Sequence, residues 1–260
     1  MASSFLGFKA GSFAFLQELS QHNNKAWFDQ NRARYEEYVT GTFRALLEKL
    51  TPFLLKLNPQ FETSGKTNGN FSRINRDIRF SKDKSPYKPN YYLYVYDRRH
   101  DRGYAGRLYV GLSPDCVTVG FSIYDTWHGP KGALRTVSRR RLVEERELFD
   151  RLLANSVRGK HYETYWHRQE GREWVQHPGL PRRAADWQSL QAWIVRKVYL
   201  PNSRGVAEPA FASHVEQVFK DLYPLYVFTS ESTFHLDRGA SSPRSKAKMK
   251  RSEGKQGNRN

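Results

Sequence analysis

Residues 91–123, YYLYVYDRRHDRGYAGRLYVGLSPDCVTVGFSI, decide the fold. Tyr92, Tyr94 and Tyr96 alternate with Tyr91, Leu93 and Val95, and Leu108, Val110 and Leu112 alternate with Tyr109 and Gly111. Beyond a Ser113-Pro114-Asp115 turn, Val117, Val119, Phe121 and Ile123 alternate with small or polar residues. A period of two bounded by turn residues specifies strands, and connections this short join them antiparallel, as a meander expected over about 70–124. One face of that sheet is apolar, and the other carries tyrosines and small side chains.

Working outward, helical periods flank the meander on both sides. Residues 12–20 (SFAFLQELS) place Phe13, Leu16 and Leu19 on one stripe, with Ser12 as the N-cap. Asn23 or Asn24 caps a longer helix that ends at Asn58-Pro59, with Pro52 expected to kink or divide it. On the other side, helices are expected over 138–154, 183–194 and from Pro209 to Tyr223. An irregular Trp/His-rich region is expected at 160–181 and a short strand at Arg196–Leu200. The fold class is therefore α+β, with N-terminal helices packed on an antiparallel β-meander and C-terminal helices completing the cover. Residues 1–237 read as a single α+β domain. Residues 238–260 are rich in Ser, Lys, Arg and Gly without apolar periodicity and read as a disordered basic tail.

The formal net charge is +17 over 260 residues. The tail holds eight Lys/Arg against one Glu, a charge of +7, which leaves +10 on residues 1–237. Such a balance favours polyanion partners: nucleic acid, phosphorylated metabolites or an anionic membrane surface. The single cysteine, Cys116, excludes an internal disulfide and a cysteine-based structural zinc site. The N-terminus lacks the pattern of a secretory signal, and no apolar run is long enough to span a membrane. A reducing, cytoplasmic setting is the default expectation.

The most informative charged stretch is Arg73–Lys88, RINRDIRFSKDKSPYK. Arg73, Arg76, Arg79, Lys82, Lys84 and Lys88 are interrupted by only two acids, Asp77 and Asp83, and interleaved with Ile74, Ile78, Phe80 and Tyr87. Apolar residues at that density pin a segment to a core, so the charges are held in place or find partners. On the functional reading this is a preformed cationic site for a phosphorylated ligand or nucleic acid. Arg73, Arg76 and Arg79 hold the anion through their planar forks, Lys82, Lys84 and Lys88 add field, Asp77 orients the arginines and Tyr87 walls the site. On the structural reading Asp77 and Asp83 pair with the arginines as an ion-pair lock. A third reading makes Asp77 and Asp83 the carboxylates of an enzyme acting on a phosphate ester; surrounding cations depress their pKa values, which suits ligation or pairing better than proton donation.

The pattern Arg73-x-x-Arg76-Asp77-x-Arg79-Phe80-x-x-Asp83-Lys84-x-x-Tyr87 resembles the signature of a family of uncharacterised proteins catalogued as domain of unknown function 2461. Asn23-Asn24-Lys25-x-Trp27-Phe28, continuing to Arg32 and Tyr35, is similar to that family's N-terminal helix start. The resemblance covers roughly residues 8–228. It implies where to look and brings no reaction, cofactor or ligand with it.

Other features are weaker. Ser64-Gly65-Lys66-Thr67 mimics the end of a phosphate-binding P-loop, but Gln60 replaces the first glycine and a helix precedes it, so it reads as a plain loop. His161, His167 and His177 have no metal-pair spacing and read as partly buried or surface residues; no metal site is expected. Tyr92, Tyr94 and Tyr96 read first as rings packed under a helix and second as stacking platforms beside the cations. Nothing marks Cys116 as reactive.

Overall fold

The meander forms where the alternation places it. In a computed structural model, which describes residues 4–79, 81–100, 105–124, 141, 144–170, 173–203 and 205–230, β1 (Tyr91–Val95), β2 (Arg107–Leu112) and β3 (Val117–Tyr124) pair antiparallel. Leu93 faces Val110, and Val110 faces Val119. These positions point into the core, whereas Tyr92, Tyr94 and Tyr109 cluster on the opposite face with Ala192 and Ile194.

The sheet is wider than the expected meander, and the short strand expected at Arg196–Leu200 falls, but for Leu200, within one of its added strands. Three later strands, β4 (Glu163–Glu170), β5 (Glu173–Pro178) and β6 (Leu190–Tyr199), extend it in the order β1-β2-β3-β6-β4-β5. The 160–181 region is thus a hairpin rather than irregular chain. Its polar residues fall on both faces, so no apolar period marks it. Cross-strand pairs such as Trp166 on His177, 4.4 Å between ring centroids, hold it instead. The helix expected over 183–194 shrinks to Ala184–Gln188, and Leu190 already begins β6. A central strand covered on both faces reads as a continuous apolar run, which periodicity alone cannot separate from a buried helix.

At the N-terminus, α1 spans Ala10–Gln21. The long helix expected from Asn23 onward is divided into α2 (Lys25–Gln30), α3 (Arg32–Tyr35), a wide π-helical segment (Glu36–Gly41) and α4 (Thr42–Leu57). Asn24 caps α2 by accepting from the Trp27 amide at 3.0 Å. Pro52 lies inside α4 without ending it, and the residue four before it, Glu48, whose carbonyl it cannot bond, is exposed. The later helices are α5 (Arg146–Val157), α6 (Ala184–Gln188) and α7 (Phe211–Thr229). Helix α7 packs on β2 and β3, and α4 and α5 pack on α7. The start expected for α5, near residue 138, lies outside the described residues.

Residues Met1–Ser230 form one compact unit. The expected tail at 238–260 lies outside the described residues. Among those described, no helix is long and apolar enough to cross a membrane.

Candidate functional site

The basic segment is stitched to the β1 edge before it leaves the sheet. The Ser72 amide donates to the Tyr92 carbonyl at 2.9 Å, and the Tyr92 amide donates to the Ser72 hydroxyl at 3.0 Å. Phe71 and Ile74 are buried beside this join. Further along, the Arg76 amide donates to Pro86 O at 2.9 Å and the Lys88 amide to Ile74 O at 2.8 Å. The described residues of 76–86 therefore form a loop closed at its base.

A second fastening comes from far along the chain. The Asn23 side chain donates to Tyr87 O at 2.9 Å and accepts from the Tyr87 amide at 3.0 Å. The Tyr87 ring stacks on Phe28 of α2, with centroids 4.2 Å apart. The two stretches that carry the family resemblance thus meet at Tyr87. Sequence reading took Asn23 only as a candidate helix cap. An amide clamp on a distant backbone leaves no local pattern to find it by.

Within the loop, the two acids take up two of the arginines. Arg79 Nε and Nη2 donate to Asp77 Oδ1 and Oδ2 at 2.9 and 2.7 Å. Arg76 pairs with Asp83, which also accepts from the Ser85 amide and hydroxyl at 2.9 and 2.6 Å. Lys84 Nζ donates to Ile78 O at 3.0 Å. These pairs face water: the Arg79 and Asp77 side chains are 76% and 59% exposed. Exposed pairs of this kind shape a loop more than they stabilise a fold.

The two-pronged Arg79 bond, helped by the Arg79 backbone amide, holds the Asp77 pKa down at about 2. For Asp83 the Ser85 hydroxyl is the largest cause, followed by the Ser85 amide and Arg76, and its pKa also falls to about 2. Both side chains are therefore carboxylates well below the unfolded value of about 3.9. Their contribution to loop order is complete above about pH 4 and is lost as pH falls through about 2. A carboxyl NMR titration is expected to give midpoints near 2 for both residues. Midpoints at the unperturbed value would mean the loop is not paired in solution.

Arg73 is different. It is exposed and has no hydrogen bond or ion pair among the described residues; its charge reaches Asp77 only through space. It stands on the ridge Ser72–Asn75 between two hollows. The loop-side hollow, about 540 Å³, is lined by Arg73, Arg76, Asp77, Arg79, Lys88 and Tyr94 among others. The helix-side hollow, about 340 Å³, joins Arg73 to Arg32, Arg44, Tyr35, Tyr87 and Tyr91. The lining of neither hollow includes Lys82, Lys84 or Asp83. Arg44 was not singled out by sequence reading, because a lone arginine on the polar side of an amphipathic helix carries no signal.

The π-helical segment supplies Glu36 and Thr40 to the helix-side hollow. One inserted residue widens the turn there, a feature found often at functional sites. A side chain on Gly41 would stand 2.8 Å from Glu36 O, so glycine is what lets this turn close.

The remaining candidates take structural places. The amides of Ser64 and Gly65 donate to Glu62 Oε1 and Asn70 Oδ1, so the P-loop-like run spends them on its own side chains. His167 and His177 sit on neighbouring strands in different cross-strand pairs, and His161 lies in the preceding turn. Among the described residues no three His, Cys, Asp or Glu gather into a metal-binding group. Tyr92 and Tyr94 stack at 5.6 Å, with Arg107 4.2 Å over Tyr94, packing against one another and β6. Cys116 lies in the β2–β3 turn, where its amide is held by the Ser113 hydroxyl at 3.3 Å.

A family model described as "Conserved hypothetical protein (DUF2461)" matches residues 11–228. No curated protein matches the chain.

Proposed function

Because the chain belongs to the DUF2461 family of conserved hypothetical proteins, we propose a function from its own chemistry: it binds a phosphorylated or polyanionic ligand in the loop-side hollow beside Arg73. One observation carries this reading. Among the described residues no acid is bound to the Arg73 guanidinium, while Arg76 and Arg79 beside it are each taken by a carboxylate. The role of the paired arginines is to raise the local potential and that of the loop to hold them at a fixed distance. Lys88 lines the same hollow, and Tyr94 offers it a ring. Arginine suits the task because its fork donates two parallel hydrogen bonds to phosphate.

The basic tail from Arg238 adds +7 of charge and a sequence-independent attraction to nucleic acid that falls steeply with salt. The lone cysteine fits a reducing, cytoplasmic setting. A second reading, the ion-pair lock, draws on the Arg76–Asp83 and Arg79–Asp77 pairs; in it the loop is architecture and binds nothing. Isothermal titration of the full chain with inorganic pyrophosphate separates the two. Anion binding requires a saturable heat that weakens as salt is raised, whereas the lock requires none.

A further inference from the structure

We propose that the helix-side hollow is a separate subsite for the phosphoryl group of a small organic phosphate, held between Arg44 of α4 and Arg73. The proposal shares Arg73 with the reading above and to that extent rests on it; Arg44 and the chemistry of the hollow are its own. Arg44, like Arg73, is exposed and has neither a hydrogen bond nor an ion pair among the described residues. The charged lining consists of Arg32, Arg44, Arg73 and Glu36. Arg32 is already bonded to Asp29 at 2.7 Å, and Glu36 acts on Arg32 through space. With Arg32 committed to Asp29, Arg44 and Arg73 are left to meet an anion, two guanidiniums that a phosphate monoester dianion engages more fully than a monocarboxylate.

The walls support the same class of ligand. At about 340 Å³ the hollow lies at the small end of sites that take single small molecules. Phe28, Tyr35, Tyr87 and Tyr91 give it rigid aromatic walls anchored in the core. Burial raises both the Tyr35 and the Tyr91 phenol, and the Arg44 charge opposes that rise. A hollow of this size suits a single ring bearing a phosphate.

Phenyl phosphate, titrated into the full chain, is the probe, with benzoate as the monoanion of similar shape. Phenyl phosphate is expected to bind and benzoate to bind at least about tenfold more weakly. Arg44→Gln is expected to weaken phenyl phosphate about tenfold or more, the worth of a charge-assisted pair of bonds, and Arg79→Gln to leave it within about twofold. Thermal unfolding confirms that each variant folds; Arg44 is exposed. If Arg44→Gln leaves the affinity unchanged while Arg73→Gln removes it, the subsite is overturned and the loop-side reading stands. If neither variant changes it, both readings fall. Equal binding of benzoate, or no binding of phenyl phosphate, also overturns the subsite.

Discussion

Replacing Asn23 with alanine is expected to lower the melting temperature by roughly 5–10 °C and to release the loop at 76–86 from the helices. The amide of Asn23 answers both backbone groups of Tyr87, the N–H and the C=O, at a residue whose ring is buried against Phe28. Alanine leaves a donor and an acceptor unpaired in a part-buried place. Each costs on the order of 1–2 kcal/mol, so the total is about 2–4 kcal/mol. Asn23→Asp keeps an acceptor for the Tyr87 amide but sets a charge against the Tyr87 carbonyl, and is expected to be nearly as damaging. Hydrogen exchange supplies the local readout: the amides of Tyr87 and Lys88 lose protection in the alanine variant before the β2–β3 ladder does. An unchanged melting temperature with unchanged exchange would remove the clamp from the account.

The larger functional effect is expected from Arg73→Gln. Glutamine keeps much of the length and polarity of the side chain but loses the charge and the fork. Affinity for inorganic pyrophosphate is expected to fall about 10- to 100-fold, the usual worth of a bidentate charged contact. The salt dependence of binding should flatten by about one ion, as when one cation contact to phosphate is lost. Arg79→Gln is the informative partner, because its guanidinium is already committed to Asp77. It is expected to weaken binding only about two- to threefold, through the local potential. Arg79→Gln matching Arg73→Gln would mean that the Asp77 pair opens to admit ligand, and the distinction between free and paired arginines would fail.

The legible parts of this molecule are those whose pattern is local. Strands at 91–123 announce themselves because apolar residues alternate with tyrosines and with small or polar residues; burial keeps that period in β1, whereas β2 and β3 are buried on both faces. The hairpin at 163–178 was hidden because its pairing rests on Trp166 against His177 and on polar cross-strand neighbours. Strand β6 was legible at its far end, where a short strand at Arg196–Leu200 is expected; its first half was hidden because the run Ala192–Val195 is apolar and buried, as in a buried helix. The division of the helix after Asn23 depends on the π turn around Gly41, which nothing in an apolar period reports. The basic segment stood out by its charge density, but its division into paired and free arginines did not. Asp77 lies two residues from Arg79, and Asp83 reaches seven residues back to Arg76, both by way of the loop's closure. Arg44, some thirty residues before Arg73 in the chain, comes to the same ridge only through the packing of the helices on the sheet.

The most direct test is a crystal of the full chain grown with tungstate, a heavy analogue of phosphate located by its anomalous scattering. The account predicts a tungstate within hydrogen-bonding distance of the Arg73 guanidinium, with the Arg79–Asp77 and Arg76–Asp83 pairs still closed. A map in which tungstate avoids Arg73 while that side chain is bonded to a protein carboxylate would contradict it.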